Sequence, residues 1–255
     1  MAQAMFDLTG RLALVTGSSQ GIGFALARGL AQAGARVVLN GRDGAKLAAA
    51  AERLRAEGLA VEQAAFDVAA IETLDDAVAT IEAAHGPLHI LVNNAGIIRR
   101  MPSVEVSPAL WREVLGTNVD AVFFLAQAAA RRMIPRGAGK IINICSVQSE
   151  LGRPTIAPYA TSKGALRMMT RTLCAEWARH GVQVNGIAPG YFDTELTSAL
   201  VQDQAFTEWL CQRTPAGRWG KVEELVGAAV FLAAPASDFV NGHLLYVDGG
   251  MTAVV

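Results

Sequence analysis

The stretch L12-A-L-V-T-G-S-S-Q-G-I-G23 decides how the rest of this 255-residue chain is read. Leu12–Thr16 is a short apolar run ending in a β-branched residue, the signature of a strand. Gly17, Gly21 and Gly23 then permit a tight turn, and Phe24–Ala33 continues as a helical pattern that stops near Gly34. Strand, glycine turn and helix in that order open a βαβ unit.

The same alternation runs to the other end. Strands are predicted at Val37–Asn40, Ala60–Phe66, Ile90–Asn93, Lys140–Ser146, Val182–Ala188 and Leu244–Val247. Helical patterns lie between them at Lys46–Glu57, Leu74–His85, Asn118–Met133, Tyr159–His180 and Glu223–Ala233. The strands read as continuous apolar runs, which suits a parallel sheet covered on both faces. The expected fold is therefore α/β: a Rossmann-like, doubly wound, seven-stranded parallel sheet with helices on both faces, in one domain spanning 1–255. Leu196–Trp219 has helical character but no clear strand after it.

Composition narrows the function classes. Hydrophobic residues make up 52% and charged residues 18%, below the roughly 25% usual for soluble domains, which excludes disorder. The net charge of −1 leaves no basic excess for nucleic acid. Cys145, Cys174 and Cys211 form no CxxC pair, and His85, His89, His180 and His243 are scattered, so no metal site is expected. The N-terminus does not read as a signal peptide, and the longest apolar stretch, Val226–Ala236, is about half of the ~20 residues a membrane span needs. A cytoplasmic protein with no membrane partner is expected.

The turn itself points to an anion. Gly17, Ser18, Ser19, Gln20, Gly21, Ile22 and Gly23 precede a helix, whose free N–H groups and dipole favour a pyrophosphate. Their spacing is GxxxGxG rather than the usual GxGxxG. An acidic residue would be expected at the end of the second strand to hold an adenosine ribose hydroxyl; the sequence has Asn40, Gly41 and Arg42 instead. A guanidinium can pair with a 2′-phosphate, so Arg42 favours NADP over NAD, though NAD stays possible. Asp67 and Val68, after the third strand, are candidates for the adenine. The plain alternatives are a solvated loop arginine and a helix-capping aspartate.

Taken with N93-N-A-G96, Asn118, Ser146, Y159-A-T-S-K163 and P189-G190, the turn resembles the short-chain dehydrogenase/reductase superfamily over essentially the whole chain. That resemblance implies a catalytic set of Asn118, Ser146, Tyr159 and Lys163. It implies further cofactor contacts at Asn93, Ala95, Gly96, Tyr159, Lys163, Pro189, Gly190 and Thr194, with the Asn93–Gly96 loop also steadying the sheet, and a homotetramer paired through the long helices. The segments Asn143–Tyr159, Gly186–Leu196, Arg213–Gly220 and Asn241–Gly250 are similar to members acting on sugar acids, which interconvert D-gluconate and 5-keto-D-gluconate with NADP(H) or NAD(H).

The residues support such chemistry on their own terms. Tyr159 and Lys163 are four apart on a predicted helix and share a face, so the ammonium is expected to lower the phenol pKa and make Tyr159 the general base or acid. Ser146 can hold the substrate oxygen, and Asn118, read as a helix-start residue, can position a water near Lys163. A sugar acid adds a carboxylate and hydroxyls, for which Arg99, Arg100 and Arg153, with Gln148, Ser149 and Glu150, are candidates. The alternatives are a short-chain reductase of another carbonyl, either a 2-deoxy-gluconate or a 3-oxoacyl group, and a non-catalytic dinucleotide-binding protein.

Overall fold

The computed structural model describes residues 3–195 and 197–255; Leu196, which closes one of the quoted segments, lies outside the described residues. Seven strands form one sheet: β1 Leu12–Val15, β2 Arg36–Gly41, β3 Val61–Ala65, β4 Leu88–Asn93, β5 Gly139–Ile144, β6 Val182–Pro189 and β7 Leu244–Val247. Their order is β3-β2-β1-β4-β5-β6-β7, and every pairing is parallel. The expected doubly wound sheet is what is found.

The pleat explains why the central strands are apolar throughout. Ala13 and Val15 of β1 face one layer, built on α1 (Gly21–Gln32), α2 (Gly44–Ala56) and α9 (Val226–Ala233). Leu12 and Leu14 face the other, built on α3 (Leu74–His85), α5 (Ala121–Arg136) and α6 (Ala157–Trp177). With both faces covered, no position can be polar without losing its water. Truncating Leu14, fully buried, costs about 3 kcal/mol. The edge strand β3 differs from expectation: Val61 is buried, but Glu62 and Gln63 reach toward solvent because no strand lies beyond it. At the other end of β1 the register with β4 shifts after Leu12, and the Nδ1 of His89 accepts the Leu12 N–H at 3.0 Å.

The helix expected from Asn118 begins earlier. α4 (Pro108–Leu115) opens with Ser107 as cap, its hydroxyl accepting from the Leu110 N–H, and with Pro108 at the first helical position. It runs through a π turn, Gly116–Asp120, into α5. Asn118 therefore lies inside a wide helical turn, not at a helix start. The uncertain stretch folds as two helices, α7 (Ser198–Val201) and α8 (Gln204–Arg213), and returns to the sheet at the Phe192–Gly220 bridge. Among the described residues no helix is long and apolar enough to cross a membrane.

Candidate active site

At the carboxyl ends of the strands a cleft of about 1090 Å³ opens between the β1–α1 turn and the segment after β6. Its first end is a glycine-rich turn held by two side chains onto backbone groups. The Thr16 hydroxyl accepts from the Asn94 and Ala95 N–H groups, both at 3.0 Å. The Asn94 amide donates to the carbonyls of Thr16 and Gly17 at 2.9 and 3.1 Å. Gly17 takes a left-handed φ of 60°, and a Cβ on Gly23 would come within 2.4 Å of the Asn94 amide nitrogen and of the Gly17 carbonyl oxygen. The turn is thus locked to β4, and α1 starts against the cleft with no side chain capping its first N–H groups.

That arrangement fits a dinucleotide. Gly17, Ser19, Gln20, Gly21, Ile22 and Gly23 line the cleft. Ser18 does not: its hydroxyl is fully buried and donates to the Val15 carbonyl at 2.7 Å, so the expected cofactor contact is a structural one. Asn40, Gly41, Arg42, Asp67 and Val68 line the adenosine end. The pair Arg42–Asp67 is loose, 3.7 Å, with Arg42 72% exposed, and such pairs are worth about 0–1 kcal/mol, so the guanidinium is available to a phosphate. Asp43 caps α2 through one carboxylate oxygen, which accepts from the Ala45 and Lys46 N–H groups. Ala95, Gly96, Pro189, Gly190 and Thr194 line the central part. Asn93 steadies the sheet as expected, its buried amide donating to Asn143 across β4 and β5 at 3.0 Å, but it does not line the cleft.

Ser146, Tyr159 and Lys163 meet at the centre of the cleft. Lys163 is buried, its Nζ donating to the Ile144 carbonyl at 2.6 Å and lying 5.6 Å from the Tyr159 ring centroid. The expected lowering of the tyrosine does not occur. Burial pushes the Tyr159 hydroxyl up to about 12 against the pull of the adjoining Ser146 hydroxyl, and burial brings Lys163 down to about 8. A low-dielectric floor penalises both charged forms, and the ammonium faces a carbonyl rather than the phenol oxygen. The Asn118 side chain bonds the Ile97 N–H and carbonyl and the Ser162 hydroxyl, with one lone pair of the amide oxygen still open. It positions the helix that carries Lys163.

Beyond Tyr159, next to the cleft but not among the residues that line it, lies a group of side chains from three loops. The Met101 N–H donates to the Thr155 carbonyl at 2.8 Å, tying the loop of Arg100 to the loop of Arg153. Partial burial, then the neighbouring Arg153 charge, pull Arg100 below its usual pKa, with Tyr191 and Tyr159 opposing. Neither guanidinium is ion-paired among the described residues. Arg99, by contrast, is taken up by Glu113. Glu150 is a further correction: it is paired with Arg167 and accepts from the Tyr246 hydroxyl. Ser149 donates to the Lys163 carbonyl. Gln148 is buried and donates to the Tyr191 hydroxyl at 3.4 Å. Sequence reasoning missed Thr16 and Tyr191; the position of Tyr191, directly after Pro189-Gly190, was the available signal.

A doubly wound parallel sheet whose switch-point cleft holds a serine, a tyrosine and a lysine around one point defines an oxidoreductase, and the chain belongs to the short-chain dehydrogenase/reductase family. Residues 17–252 match a family model described as enoyl-(acyl carrier protein) reductase. The chain is 59% identical to the gluconate 5-dehydrogenase of Gluconobacter oxydans, over 97% of each chain. It is 56% identical to the 5-keto-D-gluconate 5-reductase of Escherichia coli K12, over 98% of this chain and 99% of that one. A crystal structure of a gluconate 5-dehydrogenase from Burkholderia cenocepacia, in complex with NADP and tartrate, superposes over 100% of both chains with a TM-score of 0.97 at 60% identity.

Proposed function

We propose that this protein is an NADP(H)-dependent oxidoreductase that interconverts D-gluconate and 5-keto-D-gluconate. The observation that carries the sugar-acid reading is the Arg100–Arg153 pair. Arg100 and Arg153 stand on loops joined by the Met101–Thr155 hydrogen bond, near enough for each to feel the other's charge, and with no carboxylate partner among the described residues they suit a substrate that brings its own. The names of the two curated relatives and the tartrate in the Burkholderia complex support the same class of hydroxylated acid.

In this reading the Gly17–Gly23 turn holds the pyrophosphate, Arg42 the 2′-phosphate, and Lys163 the nicotinamide ribose. When bound, the nicotinamide supplies a hydride donor for a ketone or an acceptor for an alcohol. Ser146 holds the reacting oxygen by a hydrogen bond. Tyr159 carries the proton to it in reduction and takes it in oxidation. Because Tyr159 stays protonated at neutral pH in the ligand-free protein, the site stands ready to protonate a carbonyl oxygen. Lys163, with its Nζ 5.6 Å from the Tyr159 ring centroid, supplies the nearby positive charge that a phenolate would feel. The catalytic machinery stands on one sheet, so 1–255 is read as one catalytic domain, working in the cytoplasm.

Steady-state kinetics test this: D-gluconate with NADP and with NAD, then 5-keto-D-gluconate, a 3-oxoacyl thioester and a small neutral ketone with NADPH. The sugar-acid pair with NADP(H) is expected to give the highest kcat/KM, and faster turnover of the thioester would overturn it. We also propose a homotetramer paired through α5 and α6, which leave Phe124 and Met168 exposed on their outer faces. Light scattering on Phe124→Asp with Met168→Asp should show smaller assemblies than wild type; a monomeric wild type refutes it.

A further inference from the structure

The Tyr191 hydroxyl, just outside the lining of the cleft, stands where two side chains of the loop after β5 converge. Its oxygen receives the Gln148 amide nitrogen at 3.4 Å and a guanidinium nitrogen of Arg153 at 3.3 Å. Two donors on one phenolic oxygen leave its own hydrogen for a further partner. The Gln148 side chain, only 9% exposed, has its other end unmet: the amide oxygen is buried without a hydrogen-bond partner. A buried carbonyl in that condition costs about 1–3 kcal/mol unless a ligand supplies a donor. Its backbone N–H is bonded to the Ser146 hydroxyl at 3.1 Å, which puts the residue beside the reacting centre.

The Tyr191 ring is fixed independently of its hydroxyl. Phe206 and Trp209 of α8 pack on it at 5.6 and 6.4 Å, and Trp219 at 5.9 Å. Arg153 lies over the Phe206 ring at 4.5 Å. The hydroxyl is thus delivered to a set place by an aromatic cluster from the segment after β6, while Gln148 and Arg153 come from the loop after β5.

We propose that Tyr191 is a specificity-determining residue for the sugar-acid reaction, orienting Gln148 to accept a hydrogen bond from a substrate hydroxyl and Arg153 to meet its carboxylate. This rests on the sugar-acid reading above. An acid lacking the hydroxyl leaves Gln148 unpaired, and a polyol lacking the carboxylate leaves Arg153 unpaired, so the pair rejects both.

The test is Tyr191→Phe, which removes one oxygen and keeps the ring stack. KM for D-gluconate should rise about tenfold with the loss falling on KM rather than kcat, and selectivity for gluconate over a small neutral ketone should fall by the same factor. Gln148→Met should act in the same direction, and the double variant should cost no more than about the larger single change, because both remove one arrangement. Unchanged KM and selectivity in Tyr191→Phe, or additive losses in the double variant, overturn the proposal while leaving the reaction assignment standing. A wild-type protein that does not turn over gluconate at all overturns the assignment, and this proposal with it. If Tyr191→Phe fails to fold, Gln148→Met decides: an unchanged KM there refutes it.

Discussion

At one end of the cleft, Thr16, Gly17, Gly23 and Asn94 are clamped by the Thr16 hydroxyl and the Asn94 amide onto backbone groups, with a glycine wherever a Cβ would intrude. At the substrate end, Arg100, Gln148, Arg153 and Tyr191 meet as side chains from separate loops, backed by Phe206 of α8. In the proposed function the first end recognises groups every dinucleotide shares, and backbone donors in a fixed turn would do that without dependence on rotamers. The second must recognise one substrate among many, and side chains on loops can be exchanged without disturbing the sheet. Tyr159 stands between them. The difference teaches that affinity for the two ligands should be separable by mutation.

The largest effect is expected at the junction. Tyr159→Phe should lower kcat on the order of 10³-fold while leaving dinucleotide and gluconate binding in place, as stopped turnover with unchanged fluorescence titrations would show. Substantial turnover in that variant removes Tyr159 from the proton transfer. Next, Arg42→Asp should weaken NADPH binding by about 100-fold and NADH binding little, because it replaces a charge-assisted pair with repulsion. Equal losses for both cofactors mean that Arg42 does not read the 2′-phosphate.

Gly23→Ala sharpens the same contrast from inside the turn. The new Cβ must displace Asn94 or Gly17, costing about 2 kcal/mol, so dinucleotide affinity should drop by about 30-fold with KM for gluconate at saturating cofactor preserved. At the other end, Phe206→Ala removes the ring under Arg153, and KM for gluconate should rise about tenfold with NADPH affinity untouched. If either variant disturbs both ligands equally, the two ends are not independent.

The smallest effect concerns stability. In the folded protein Lys163 falls from 10.5 to about 8. The cost of holding that buried ammonium is therefore present in full below pH 8 and fades as pH rises to 10.5. Allowing for the lost bond to Ile144, Lys163→Met should stabilise the ligand-free protein by about 1 kcal/mol at pH 7, with the gain vanishing near pH 10. Thermal melts across that range check it. A loss of stability at pH 7 shows that the ammonium is well solvated by its neighbours instead.

How much of the site was legible follows the same division. The turn residues Gly17–Gly23 are contiguous, and their chemistry depends on local backbone geometry, so their spacing could be read directly. Tyr159 and Lys163 are one helical turn apart and equally readable. Ser18 and Asn93 lie within readable motifs yet point into the protein, Ser18 because the turn at Gly17 aims its hydroxyl back at the Val15 carbonyl and Asn93 because its end of β4 faces Asn143 on β5. Glu150 misled because nothing local announces Arg167 on α6 or Tyr246 on β7 as its partners.

By itself, the sequence determined the order of the strands, the sheet buried on both faces and the glycine-rich turn after β1, since hydrophobic period and glycine placement act over a few residues. Only the tertiary structure decided which arginine stands free, where the Gln148 amide points, how Asn118 is bonded and that burial, not Lys163, governs the ligand-free Tyr159. Those properties depend on dielectric and on partners tens of residues away, and the fold alone brings them within hydrogen-bond range.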